Sequence, residues 1–492
     1  MNRATTTAKR KRQTRSAYSV IVLVGIIYAA LALLRLIRFD LSAFDAGIFD
    51  NVLWRLGNGY NDVTAITGSH HFSDHMSLLI LLAVPLYAVV PGLGLPVLII
   101  AQAASVALVG VAVWLLADHL GLDEERRRAA LMVTLIGAGA YNAALIDIHE
   151  VGLALGPLAL TAVLAIREQS IRSYWIWPVL AAAARIDIAV SVLIVGLLVR
   201  GEHPRHGRIA IMVGAITATA FGLWLVLNPW EGTSFSFHFA HLGIDSVAEL
   251  PGAALADPAA ALRPLLDPTM WGTIVIWLAG FMLLPPLRAA RWLLPALPTL
   301  IIPVLGSWQQ ADKPHLHYWH VLLPMLAIAT AVGLARSPEL KNRAFYLAVA
   351  AVAVTWILMP LFKPSFSNDI GDERATVAYL QGRPAASVAA FRTLVPHITT
   401  RPVVMQLPTP FACPTMPIAA FVGPDAPPEL VAFPGAVLDR PVSAADEAVV
   451  TALNNWYEPV AVFGRMQVWE LTAQVPAAAY SITCGANPSA NS

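Results

Sequence analysis

Between Tyr18 and Phe362 the chain runs through one apolar stretch after another, and the breaks between them hold clusters of Lys and Arg. A bilayer requires about 20 apolar residues for each helical crossing, and only helices and closed barrels satisfy their backbone groups inside it. Of the 492 residues, 57% are hydrophobic and 13% charged, whereas a soluble domain carries about 25% charged residues. These features exclude a soluble enzyme, a disordered chain, a collagen-like chain and a disulfide framework. The pattern is that of a polytopic α-helical membrane protein.

The formal net charge of +1 carries no clustered basic excess of the kind nucleic acid selects. The basic N-terminus precedes an apolar run, Tyr18 to Ile37, that lacks a small-residue cleavage pattern and ends in Arg35 and Arg38. It therefore reads as a first transmembrane helix rather than a signal peptide.

Lys and Arg mark cytoplasmic loops. Placing the clusters before Tyr18, at Arg126–Arg128, Arg167/Arg172, Arg200/Arg205/Arg208, Arg288/Arg291 and Arg336/Lys341/Arg343 on one side predicts about eleven crossings. They fall at roughly 18–38, 95–117, 129–146, 151–167, 174–185, 187–199, 209–229, 270–287, 292–308, 318–335 and 344–362. The N-terminal tail, 1–17, is then cytoplasmic, and 174–199 is short enough to form a re-entrant hairpin with Arg185 and Asp187 near its tip. Met76 to Val90 is interrupted by Pro85 and reads as an interfacial helix within a first outer loop, 39–94. The tail 363–492 alternates helical stretches (373–381, 385–394) with β-like runs (402–407, 460–471), which predicts an extracytoplasmic α/β domain. Both cysteines, Cys413 and Cys484, fall there, either as a disulfide or as two buried thiols.

Ionisable residues at a membrane edge are costly and mark function by default. In this topology they gather on the outer side: Asp40, Asp45, Asp50, His70, His71, Asp74 and His75 in the first loop, Asp147, His149 and Glu150 in a very short second loop, then Arg185 and Asp187, and finally Lys313, His315, His317, Tyr318 and His320. Such a set can take a proton from an attacking hydroxyl, hold a divalent cation, or pair with a phosphate through Arg or Lys. A hydrogen-bonded helix-end network fits the same residues. No nucleotide-binding loop, zinc-protease helix or nucleophile elbow is present.

In this setting the chain resembles the GT-C superfamily of integral-membrane glycosyltransferases and, more closely, an uncharacterised family of predicted bacterial and archaeal membrane proteins assigned to it. The resemblance covers most of the chain. It rests on Phe44-Asp45-Ala46-Gly47-Ile48-Phe49-Asp50 through Trp54, on Asp74-His75 with Pro85 and Tyr87, on Asp147-Ile148-His149-Glu150, on His317-Tyr318 leading to Pro324, and on Val395-Pro396-His397 through Arg401. It implies a catalytic acid–base residue at Asp45, a polyprenyl-phosphate sugar donor, and a glycan, lipid or protein acceptor in cell-envelope synthesis at the bacterial plasma membrane. It further implies that Asp147, His149 and Glu150 hold a metal such as Mg or Mn or orient the donor phosphate. Asp50, His75, Arg185, His317 and Tyr318 would line the substrate site. Where the related family has a Lys-Glu-Asp-like run, this chain has Arg185-Ile186-Asp187, so no acidic role is implied for position 186. The competing classes are a flippase for polyprenyl-linked lipid, which calls for internal repeats, and a non-catalytic envelope assembly protein.

Overall fold

The computed structural model describes residues 3–64, 66, 70–74, 76–227, 236–244, 249–307, 313–365, 370–407, 427–436 and 443–472. His75, Cys413 and Cys484 lie outside them. The helices that position the site are α1 (Arg3–Ile37), α2 (Ile48–Gly57), α3 (Gly94–His119), α4 (Glu124–Leu135), α5 (Ala138–Leu145), α6 (Glu150–Ile166), α7 (Ile186–Val199), α8 (Pro204–Leu227), α9 (Pro268–Gly280), α10 (Leu297–Leu305), α11 (Leu322–Ala335) and α12 (Ala344–Leu358). Shorter helical pieces join them.

Among the described residues, four segments are long and apolar enough to cross a bilayer: Arg12–Ile37, Gly94–His119, Pro204–Trp224 and His317–Ala335. The pair α4 and α5, bent by 40° between them, makes a fifth. The expectation of about eleven crossings is thus not met by eleven full-length helices, and the reason is local. The run 270–287 stops at Gly280, where Met282 and Leu283 take positive φ. The run 292–308 is split into a 3₁₀ segment and α10 and carries Pro295 and Pro303. The 14 residues of α7 span about 21 Å at 1.5 Å per residue, short of the ~30 Å hydrocarbon thickness.

The most enclosed segment is His317–Ala335, 94% of whose apolar window is buried by the other helices. Close approach depends on small residues, the usual device where helices pack without a hydrophobic drive between them. A Cβ on Gly333 would stand 1.8 Å from the Pro285 carbonyl oxygen, and one on Gly214 of α8 2.6 Å from the Ala189 carbonyl oxygen of α7.

The remaining described residues form a sheet unit from α13 (Gly371–Gln381), β1 (Val388–Ala390), β2 (Val404–Gln406), β3 (Leu430–Pro434), α14 (Ala444–Trp456), β4 (Tyr457–Phe463) and β5 (Met466–Leu471). The strand order is β2-β1-β3-β5-β4; β1 runs parallel to β2 and β3, and β5 runs antiparallel to β3 and β4. Side chains alternate across the sheet. Val388, Ala390, Leu430 and Ala432 face a layer shared with α13, while Ala389, Val431 and Phe433 face α14. This alternation corrects one expectation: the alanine-rich run 385–394 is not a helix but β1 followed by a turn, because both of its faces are covered. The run 402–407 contains β2, and 460–471 covers the β4–β5 hairpin except for the start of β4 at Tyr457–Pro459; the hairpin turn needs Gly464 at φ 54°.

The first layer also contains Phe39, Ala43, Ile48 and Ile66. The segment after α1 is therefore packed between the helical bundle and the sheet unit, and α2 forms the joint.

Candidate functional site

The site grows from three helix ends. The last turn of helix α1 carries Arg35, whose burial is made tolerable by the partners it gathers. Its Nη2 lies 3.3 Å from Asp147 Oδ1 and donates to the Asp40 carbonyl at 2.8 Å, its Nη1 donates to the Leu145 carbonyl, and its guanidinium lies 4.9 Å from the Phe362 ring centroid. The other Asp147 oxygen accepts the Ser42 backbone N–H at 2.7 Å. Burial pushes the Asp147 carboxyl up from its ordinary range, against the pull of Arg35 and of the Ser42 amide. Asp147 thus sits between a guanidinium and a main-chain donor.

Three residues beyond Ser42, half-buried Asp45 takes φ 59° and ψ −84°. These are close to the rarer γ-turn conformation, which is strained for a residue with a side chain. The turn then feeds α2 through Ala46 and Gly47, both buried.

At the start of α6, His149 is the N-cap and accepts the Val151 N–H at 3.4 Å, while its own N–H donates to Gln102 Oε1 at 2.9 Å. Glu150 follows in the first turn, where the helix dipole favours a carboxylate. Arg185 caps α7. Its Nε and Nη2 each donate to one oxygen of Asp187 at 2.7 Å, and its Nη1 reaches Glu150 Oε1 at 3.4 Å. His149 Nδ1 lies 3.1 Å from Glu150 Oε2. The N-termini of two helices therefore meet at one buried cluster of charge.

His317 and Tyr318 close the cluster. The His149 and His317 rings stack with centroids 3.7 Å apart, His317 and Tyr318 lie 4.0 Å apart, and Tyr318 meets His238 edge-on at 5.6 Å. Phe49 of α2 touches His149 and His71 edge-on, which joins the Asp45 segment to the cluster.

The expected metal set behaves differently from the expectation. Asp147 is engaged by Arg35 and Ser42, whereas Glu150 pairs with Arg185 and His149 lies against Glu150 and His317, so the three do not converge on a point. Among the described residues no group of three or more His, Cys, Asp or Glu side chains is arranged to hold a metal ion. The donor set does not fit a bound Mg or Mn, and no step below is routed through one.

Asp50, expected to line the substrate site, is engaged on both carboxylate oxygens. It is buried, accepts the hydroxyls of Tyr87 and Thr399, and has its carboxyl pushed up to about 6 by burial, partly offset by those two hydrogen bonds. Its neighbour Asn51 donates to the Thr399 and Arg401 carbonyls at 2.9 and 3.2 Å. Asp50 therefore belongs to the joint between α2 and the sheet unit. Among the other outer-side residues, His70 pairs with Asp62 at 2.8 Å, and His320 Nε2 lies 3.1 Å from the His315 carbonyl.

Sequence reasoning gave no role to Arg35, Tyr87 or Thr399, although Tyr87 and Thr399 lie in stretches that carry the resemblance. Arg35 carried a signal, since a basic residue at the wrong end of a first span calls for a buried partner. Nothing in the sequence marks Thr399 as a partner of a residue 349 positions away.

Comparison with known proteins places these features in context. No curated protein sequence matches the chain. The chain aligns with ArnT from Cupriavidus metallidurans bound to undecaprenyl phosphate at 14% identity, with 92% of this chain and 97% of that chain covered and a TM-score of 0.47. The apo state of the same protein aligns over 94% and 99% at 14% identity with a TM-score of 0.41. The Archaeoglobus fulgidus oligosaccharyltransferase in complex with Zn and sulfate aligns over 88% of this chain and 67% of its own, at 14% identity and a TM-score of 0.40. The profile of the family described as "Predicted membrane protein (DUF2079)" matches residues 35–413, a span that runs from Arg35 through Asp45, Asp147–Glu150, Arg185 and His317–Tyr318 to the joint with the sheet unit, and the chain belongs to that family.

Proposed function

We propose that the protein is a membrane glycosyltransferase of the GT-C type that moves a sugar from a polyprenyl-phosphate-linked donor to an acceptor hydroxyl on the outer side of the plasma membrane. The observation that carries this reading is Asp45: a carboxylate on a strained turn, half-buried, in the motif where the superfamily resemblance sets the acid–base residue, and tied through Ser42 and Phe49 to the Asp147–Glu150 segment. A carboxylate held in that way serves as general base, taking the proton of the acceptor hydroxyl as its oxygen attacks the anomeric carbon. The bond to the donor phosphate breaks, and the electron pair leaves with the phosphate.

The meeting of the α6 and α7 N-termini supports a place for that phosphate, because helix N-termini favour anions. Both terminal nitrogens of Arg185 carry a second N–H beyond the contacts described above. Asp187 and Glu150 hold the guanidinium in place, and His149, His317 and Tyr318 offer ring surface and polar groups beside it. The sheet unit, docked on α2, would carry contacts to the acceptor in this reading. The orientation, with the N-terminus cytoplasmic and the sheet unit extracytoplasmic, follows from the distribution of Lys and Arg.

The test is to offer purified protein a panel of polyprenyl-phosphate sugars with candidate acceptors and to follow release of polyprenyl phosphate. Turnover of one donor supports the reading and names the sugar. Absence of turnover with every donor, by protein of native thermal stability, overturns it.

A further inference from the structure

The short stretch between α1 and the Asp45 turn is tied down at both ends by one buried ion pair. Arg35 holds the Asp40 carbonyl at 2.8 Å, Asp147 holds the Ser42 N–H at 2.7 Å, and the two side chains lie 3.3 Å apart at 5% and 8% exposure. The Leu145 carbonyl and the Phe362 ring fix the guanidinium from the other side. A second tie comes from Asp40 itself, whose Oδ2 accepts the Ser365 N–H at 2.6 Å.

Immediately after this stretch Phe44 is extended, at φ −65° and ψ 149°, and Asp45 takes the strained φ of 59° inside what is otherwise a helical turn. A conformation of that kind costs on the order of 1–3 kcal/mol and persists only where the surroundings over-determine it. Relaxing Asp45 into the right-handed region would require the preceding residues to shift, and residues 40–42 are the ones held. A buried pair is a poor choice for stability alone, since well-packed apolar residues do as well. Its distinguishing property is geometric: a planar fork and a two-oxygen acceptor fix two backbone positions at once.

The geometry points to Arg35 and Asp147 as a positioning pair that holds the Asp45 turn in its strained form, with Asp147 acting through the Ser42 backbone and not as a ligand to donor or cation. This inference rests on Asp45 being the base of the proposed transfer. A misplacement of about 1 Å at the base is enough to cost on the order of 10²-fold in rate.

Two variants separate the possibilities. Asp147→Asn keeps an oxygen facing the Ser42 N–H, and Asp147→Ala removes it. Amide hydrogen exchange at Ser42 should rise about tenfold in Asp147→Ala, the loss of one hydrogen bond, and stay near wild type in Asp147→Asn. That readout requires no activity. Alongside it, Asp147→Ala should lower kcat on the order of 10²-fold with donor KM unchanged, Asp147→Asn should fall less, and added Mg or Mn should restore neither. If Asp147→Ala does not fold, Arg35→Lys serves instead: it keeps the charge, loses the fork, and should raise exchange across 40–45. Unchanged exchange in Asp147→Ala, or in Arg35→Lys where it stands in, overturns the inference, as does recovery of activity on adding divalent cation. If Asp45→Asn retains full transfer, the reading of function falls, and the exchange result alone then decides whether the pair holds the turn.

Discussion

The imidazole of His149 lies face to face with that of His317, centroids 3.7 Å apart and planes 18° from parallel. This contact joins the start of α6 to the segment that leads into α11, and it does so beside the Glu150–Arg185–Asp187 cluster. An aromatic pair of this kind is worth about 0.5–1.5 kcal/mol beyond its burial. His317→Ala should lower stability by at least that amount in thermal unfolding, and His317→Phe, which keeps a ring for the stack, should lower it less. If His317 also touches donor, the Phe variant raises donor KM. Equal loss of stability in both variants would show that the ring nitrogens, not the stack, hold the two segments together.

Asp50 gives a pH signature. Its folded-state carboxyl titrates near 6, above the ordinary aspartate value of about 3.9. A raised acid pKa contributes stability that is complete below about pH 4 and is lost as pH rises through 6. Wild type should therefore gain on Asp50→Asn by on the order of 2 kcal/mol between pH 7.5 and pH 4.5. Thermal unfolding of both proteins at the two pH values measures this. A gap that stays constant contradicts the burial of an ionisable carboxyl at the joint.

His397 has the opposite sign. It stacks on Phe39 with centroids 4.0 Å apart, and burial pushes its imidazole down to about 4, against a hydrogen bond to the Leu36 backbone. A depressed histidine pKa contributes stability that is present above about pH 6.5 and is lost as pH falls toward 4. Hydrogen exchange across 395–399 should therefore rise as pH falls through this window, once corrected for the intrinsic rate. In His397→Phe the rise should be absent. A rise of the same size in both proteins would assign the loosening to another group.

Buried Arg401 donates to the carbonyls of Ile398, Leu380, Ala386 and Arg383 at 2.9, 3.0, 3.1 and 3.4 Å. It ties the C-terminal end of α13 to the loop that meets α2. Arg401→Met strands those carbonyls and should cost about 3 kcal/mol. Arg401→Lys should recover little, because a compact ammonium cannot span the fork. Full recovery by Lys, read from chemical or thermal unfolding, would show that charge alone matters there.

These residues also show what the sequence makes legible. Charged groups at the ends of apolar runs, Asp45, Asp147, Glu150 and Arg185, stand out because a bilayer gives them no other reason to be there, and the structure brings Asp147, Glu150 and Arg185 into direct side-chain contact with oppositely charged partners. The strands 404–406 and 466–471 were readable from β-branched and aromatic residues. The run 385–394 was not, because alanine carries little period and its strand form is set by layers contributed from residues 430–433 and 466–468. The division of Asp147 from His149 and Glu150 was hidden as well: adjacency in the chain pointed to one site, but the extended backbone at 146 and 149 turns the two sides apart, toward Arg35 and toward Arg185. Helix breaks at Gly280 and Gly137 and the prolines of 285–303 escaped a count based on hydropathy, which sees apolar length and not continuity.

The central claim is that the Asp45 carboxylate is the base of a sugar transfer. The most direct measurement is the rate of transfer from the accepted polyprenyl-phosphate sugar by wild type and Asp45→Asn, purified together and matched in melting temperature. The amide keeps the size and the turn but cannot take a proton. The account predicts a fall of about 10²–10⁴-fold in kcat with donor KM little changed. A variant that folds as wild type and transfers at the wild-type rate would contradict it.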